Sequence, residues 1–180
     1  SLAEGPTDWL PRSMRLLVSD YIDTGYTSSL GDFTAAIWFR DFENSPRAYE
    51  RIIDKDFTAG FWLGRNNSAA EFGGGIREGS SPFGHFTPVV VGQWHHIALQ
   101  REGTTKRLWL DGVVAYEGFI PSTATNTGLL RVGLNSGGNS ELDFAGLVLS
   151  LSGAADAVPA LYAGPSQSSA KKRKLLQLIG

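Results

Sequence analysis

The sequence predicts an all-β, antiparallel two-sheet sandwich with one short helix and an appended C-terminal tail. Three observations predict it. Gln93-Trp94-His95-His96-Ile97-Ala98-Leu99-Gln100-Arg101 and Arg107-Leu108-Trp109-Leu110 read as two strands, with Val113-Val114-Ala115 opening a third. The first joint, Glu102 to Lys106, is polar. The second is Asp111-Gly112, a dipeptide suited to the positive backbone angles of a tight hairpin. Strand-like segments recur every 8–15 residues with polar turns between them, a spacing that points to a sandwich or barrel. Helical periodicity is confined to two short segments near the C-terminus.

Residues 1–13 hold Pro6 and Pro11 and keep no period, so they are expected to be an arm lying on the domain, pinned by Trp9 and Leu10. A single sandwich domain is expected over 14–164. It opens with Arg15-Leu16-Leu17-Val18 and Tyr21-Ile22-Asp23. Asp32 to Arg40 is a stronger strand. Arg51-Ile52-Ile53-Asp54 and Gly60-Phe61-Trp62-Leu63-Gly64 follow. Glu71 to Arg77 contains Gly73-Gly74-Gly75 and reads as a glycine-weakened strand or a bulge. No Lys-Ser/Thr follows those glycines, which excludes a phosphate loop. Val89 to Gly92 leads into the Trp94 strand. Residues 121–128 are a Ser/Thr/Asn-rich loop, Leu129 to Leu134 is a strand, and Asn135 to Ser140 is a turn. Glu141 to Leu151 is a long last strand, expected to bend at Gly146. Ala154 to Ala163 is Ala-rich but carries Pro159, so one or two helical turns are expected. Residues 165–180 form a basic-apolar tail whose four cations follow the Ser168/Ser169 cap and oppose the helix dipole.

The composition narrows the function classes. Of 180 residues, 42% are apolar and 19% charged, which is globular rather than disordered. The formal net charge is −2, so no basic field favours nucleic acid. There are no cysteines, hence no disulfide framework and no thiolate chemistry. No apolar run reaches the ~18 residues of a membrane span.

Six short motifs in order carry a family resemblance. They are Asp20-Tyr21-Ile22, Asp32-Phe33-Thr34 with Trp38, and Trp94-His95-His96-Ile97-Ala98. Leu108-Trp109-Leu110-Asp111-Gly112, Phe144-Ala145-Gly146 and Ala160-Leu161-Tyr162 complete the series. Together they resemble the laminin-G-like, concanavalin A-like jelly-roll family in its bacterial and phage-borne form, over about residues 15–163. The resemblance implies a lectin-like module and, in some relatives, bound calcium. Many members follow the Phe-x-Gly strand with Ile-Asp-Glu-Val, where this chain has Leu147-Val148-Leu149-Ser150, a departure that weighs against calcium.

Candidate sites follow. Trp62, Arg65, Asn66 and Asn67 combine a stacking ring with hydrogen-bonding groups and suit a sugar, against the plainer reading of a core Trp beside a polar turn. Hard oxygens on loops come from Asp20, Asp23, Asp54, Asp56, Asn135, Asn139 and Asp143, with no dense acidic loop among them. The family resemblance points to Asp20, Asp23, Asn139 and Asp143 for calcium. His95 and His96 are adjacent and point to opposite faces of a strand, one expected buried beside Trp94 or Trp38 with satisfied nitrogens and one exposed. His85 lies in a Ser/Pro/Gly stretch and is expected in a surface loop. Glu141 and Asp143 alternate like the carboxylates of sandwich glucanases, but the next residue on that face is Ala145, so the acid/base is missing. The tail cations Lys171, Lys172, Arg173 and Lys174, with Leu175, Leu176, Leu178 and Ile179, are expected to dock on a partner subunit or a parent assembly.

The sequence is thus read as a non-enzymatic recognition module for glycan on an extracellular or virion surface. The alternative is a structural component docked through its termini. A glycan or a protein is the expected partner, with homo-oligomerisation through the tail.

Overall fold

The computed structural model describes residues 2–7, 10–16, 20–28, 31–41, 50–56, 60–66, 70–78, 81–120, 128–135, 138–139, 142–150, 158–159 and 162. The strands are β1 (Leu2–Thr7), β2 (Leu10–Leu16), β3 (Ile22–Asp23), β4 (Phe33–Asp41), β5 (Arg51–Lys55), β6 (Phe61–Arg65), β7 (Glu71–Glu78) and β8 (Ser81–Pro88). They continue with β9 (Trp94–Glu102), β10 (Thr105–Leu110), β11 (Val113–Phe119), β12 (Leu130–Val132), β13 (Leu134–Asn135), β14 (Gly138–Asn139) and β15 (Leu142–Ser150). A seven-stranded sheet runs β1-β2-β15-β4-β9-β10-β11, and a six-stranded sheet runs β3-β12-β5-β6-β7-β8. All pairings are antiparallel, and β13 and β14 form a small separate ribbon. Val158, Pro159 and Tyr162 are helical, within the segment expected to turn once or twice.

Alternation in β4 sets the layers. Phe33, Ala35, Ile37 and Phe39 point between the sheets, together with Ile97, Leu99 and Leu108 from β9 and β10. The facing sheet supplies Ile53, Phe61, Leu63, Phe72, Ile76, Leu130 and Val132. Two ring pairs bridge the sheets: Phe33 on Phe61 at 4.6 Å and Phe39 on Phe72 at 4.5 Å between centroids. Each such ring contributes roughly 1.5–3 kcal/mol by burial. The opposite face of β4 carries a second, smaller core of Ala36, Ala98, Trp109 and Val158. Tyr162 covers it further, stacked on Trp38 at 5.3 Å.

The Asp111-Gly112 hairpin forms as expected, with φ of 50° and 79° at the two residues. The Asp111 carboxylate then reaches back to β9. One oxygen accepts from the His96 backbone N–H at 2.8 Å, and the other meets His95 Nδ1 at 2.8 Å. The long last strand shifts register between Ala145 and Val148, at the expected Gly146 bend.

Three expectations are corrected. The N-terminal residues are not an arm laid on the domain: β1 and β2 pair with each other, and β2 extends the sheet beside β15. Pro6 is tolerated because β1 is an edge strand. His85 lies in β8, not in a loop. Both adjacent histidines are buried, His95 at 8% exposure and His96 at 1%, because each face of β9 is covered.

Candidate binding face of the six-stranded sheet

One cross-strand row crosses the whole six-stranded sheet. In register, Asp23 of β3 faces Arg131 of β12, Arg131 faces Asp54 of β5, and Asp54 faces Trp62 of β6. Trp62 faces Gly75 of β7, which faces Gly84 of β8. Ile53, Leu63, Ile76 and Val132, their strand neighbours, enter the core, so strand alternation turns this row away from the other sheet. The adjacent row is Arg51, Gly64, Gly73 and Phe86. Four glycines thus flank Trp62 and Phe86, and the two rings stand 5.5 Å apart over a floor without side chains. Gly73 is obligatory there: a Cβ would lie 1.9 Å from the His85 carbonyl oxygen. Gly84 is exposed and meets nothing nearer than 3.9 Å.

The charged half of the row is strongly coupled. The Arg51 guanidinium lies over Trp62, 4.3 Å from the ring centroid, and its Nε is 3.7 Å from Asp54 Oδ2. Desolvation pushes the Asp54 carboxyl up to about 6; Arg51 and Arg131 oppose this, and Asp56 adds to it. Asp54 Oδ2 and Arg131 Nε have no hydrogen-bond partner among the described residues. A carboxyl titrating near 6 beside two guanidinium groups is the kind of perturbed cluster that marks ligand sites.

Of the residues read together as a sugar set, Trp62, Arg65 and Asn66 do not converge. Trp62 belongs to the face, but at 8% exposure beneath Arg51 it is not an open stacking platform. Alternation sends Arg65 the opposite way, into the interior. There its Nε meets Glu50 Oε2 at 2.7 Å, its Nη2 meets Asp41 Oδ1 at 2.5 Å, and its guanidinium covers Phe72 at 4.8 Å. Asn66 donates to Glu71 Oε2 at 2.8 Å and secures the β6–β7 connection. Asn67 lies outside the described residues.

The calcium candidates are spread over the fold. Asp20 is exposed before β3, and Asp23 accepts from the Gly25 N–H at 2.9 Å. Asn139 is in the small ribbon, and Asp143 is in the seven-stranded sheet, in register with Arg15 and Arg40. No group of three or more His, Asp or Glu is placed to hold a metal ion among the described residues. Glu141 and the tail residues 171–179 lie outside the described residues.

Sequence reasoning missed Asp54, Arg51, Arg131 and Phe86 as companions of Trp62. Alternation within Arg51–Lys55 and Phe61–Arg65 was the available signal, but the register between distant strands was not.

Comparison with known proteins agrees with the sandwich. Residues 18–151 match the Laminin_G_3 family, described as the concanavalin A-like lectin/glucanases superfamily. The chain belongs to this family. No curated protein matches it. Among solved structures it is similar to a botulinum neurotoxin type C whose cell entry depends on interaction with two ganglioside molecules. That likeness has TM-score 0.62 and 9% identity, over 91% of this chain and 44% of that one. The binding domain of botulinum neurotoxin DC, in complex with rat synaptotagmin II, gives TM-score 0.63 and 11% identity over 91% and 45%. A heptameric SAP-like pentraxin from Limulus polyphemus gives 0.59 and 12% over 81% and 73%. This chain therefore spans less than half the length of the neurotoxin chains, and identities this low show a shared fold.

Proposed function

We propose that this chain is a non-catalytic recognition module that binds carbohydrate on the outer face of the six-stranded sheet, in an extracellular or virion-surface setting. One observation carries the reading: the continuous row Asp23, Arg131, Asp54, Trp62, Gly75 and Gly84. It joins planar hydrogen-bonding groups to a floor of glycines that ends at the exposed Gly84, room for a polyhydroxylated ring. The half-buried Phe86 offers apolar contact to a sugar's C–H face, and the carboxyl and guanidinium groups fix hydroxyls. The family contains lectins, and two neurotoxin neighbours are described as interacting with ganglioside molecules or as in complex with rat synaptotagmin II. Against hydrolysis, the strand that resembles a glucanase active strand places Ala145 where a further carboxylate is needed.

A glycan array on the full chain, with calcium and with a chelator, tests the proposal. Gly84→Trp fills open space at the end of the row and is expected to abolish binding without loss of fold. Asp54→Asn is expected to weaken binding at neutral pH at least tenfold. A blank array for the unaltered chain, or binding indifferent to both substitutions, refutes it.

A further inference from the structure

Between β8 and β9 the chain crosses from the six-stranded sheet to the seven-stranded one. Backbone bonds fix both ends of this connection. The Val89 N–H donates to the Ala70 carbonyl and the Gly92 N–H to the Asp41 carbonyl, each at 2.8 Å. The Gln93 N–H closes a turn on the Val90 carbonyl at 3.2 Å, with Gly92 at a φ of 83°. Val90 lies between these anchors, 54% exposed, and the His95 ring reaches it. His95 Nε2 is 3.2 Å from the Val90 nitrogen and 3.3 Å from the Val90 carbonyl oxygen.

One ring nitrogen cannot serve both groups at once. A bare Nε2 accepts from an N–H, and a protonated Nε2 donates to a carbonyl. Asp111 decides which applies. Its Oδ2 is 2.8 Å from His95 Nδ1, and its Oδ1 accepts from the His96 N–H at 2.8 Å. Burial pushes the Asp111 carboxyl up, but these two hydrogen bonds outweigh burial and hold the group below its usual range. A carboxylate only accepts, so the proton on Nδ1 is fixed. The neutral ring therefore presents a bare Nε2 to the Val90 N–H, and the imidazolium presents an N–H to the Val90 carbonyl. The hydrogen bond to Asp111 raises the His95 pKa against burial, so the imidazolium persists to higher pH than in an isolated histidine. The remaining charge on this side of the ring is compensated. On β4, Asp41 follows Phe39 along the face that meets His95, and it is paired with Arg65 of β6, which also binds Glu50. His96 points to the opposite face of β9.

We propose that His95 is a proton-operated latch on the β8–β9 crossover: the neutral ring holds Val90 by its N–H, and the charged ring releases that N–H and holds the carbonyl instead. The freed Val90 N–H turns to water, which the exposure of this residue allows. The crossover then hangs from its two end anchors and the Val90 carbonyl.

Amide hydrogen exchange of the full chain, read residue by residue by NMR across the His95 titration, tests this. Protection, corrected for the intrinsic pH dependence of exchange, is expected to fall at least tenfold at Val90 as His95 becomes charged. Gly92, bonded to Asp41, should keep its protection. Asp111→Asn should move the Val90 transition to lower pH together with the His95 titration. His95→Phe keeps a ring against Phe39 and removes both nitrogens, so Val90 should be unprotected at every pH, with far-UV circular dichroism confirming the fold. Val90 protection that ignores the His95 titration, or that persists in His95→Phe, overturns the proposal. So does loss of protection at Val90 and Gly92 together, which marks a general loosening of the connection.

Discussion

His96 and Asp54 make opposite demands on pH, and the balance between them is measurable. His96 is 1% exposed, 5.2 Å from Trp38 and 5.8 Å from Tyr162 between ring centroids. Its Nδ1 has no hydrogen-bond partner among the described residues. Desolvation lowers its pKa from 6.5 to about 4, against the pull of Asp111. The folded state therefore binds fewer protons than the unfolded state between those values, and stability is lost as pH falls from 6.5 to about 4. Asp54 is raised from 3.8 to about 6. The folded state there binds more protons than the unfolded state, and stability is lost as pH rises from 3.8 to about 6. At 1.36 kcal/mol per pK unit, each group is worth at most about 3 kcal/mol across its window. Between pH 4 and 6 the two slopes cancel, so these groups give the unaltered chain a flat contribution. Asp54→Asn removes one slope, and its stability should climb with pH by up to about 1.4 kcal/mol per unit. His96→Gln removes the other, and its stability should fall with pH by a similar amount. Urea unfolding followed by tryptophan fluorescence at a series of pH values reads both. Slopes for the two variants that run parallel to the unaltered chain would refute the reasoning.

Other outcomes follow from buried groups. Arg65→Met strands Asp41 and Glu50, at 1% and 3% exposure, without their guanidinium, and is expected to cost about 3–5 kcal/mol in urea unfolding. The companion change of all three residues to apolar ones should recover much of that loss. Asp111→Asn weakens the hold on His95, whose pKa is raised chiefly by its hydrogen bond to Asp111; NMR titration should show His95 falling. The stability that His95 contributes below its folded pKa, and loses above it, should fall with it. Gly112→Ala meets both a φ of 79° and the Tyr162 ring 2.9 Å away. It should destabilise the hairpin by more than the ~1 kcal/mol of an unhindered glycine replacement, read as a lowered thermal midpoint.

The sequence by itself determined the two-sheet sandwich, because alternation, short strand spacing and the Asp111-Gly112 turn are local properties. Phe33 to Phe39 needs no partner to declare one apolar face. The Gly146 bend was legible for the same reason. The N-terminal pairing was not, since Pro6 and Pro11 interrupt the period and only the open edge beside β15 makes strands of those residues. Tertiary structure alone decided the fate of the polar groups. Arg65 and Asn66 are neighbours, yet one is sealed between Asp41 and Glu50 and the other serves a turn. Which carboxylate meets which guanidinium depends on register between strands far apart in the chain. Asp23, Arg131, Asp54 and Trp62 come from four separate segments. Burial then sets their electrostatics, because the cost of a charge depends on what covers it, and no stretch of sequence carries that information.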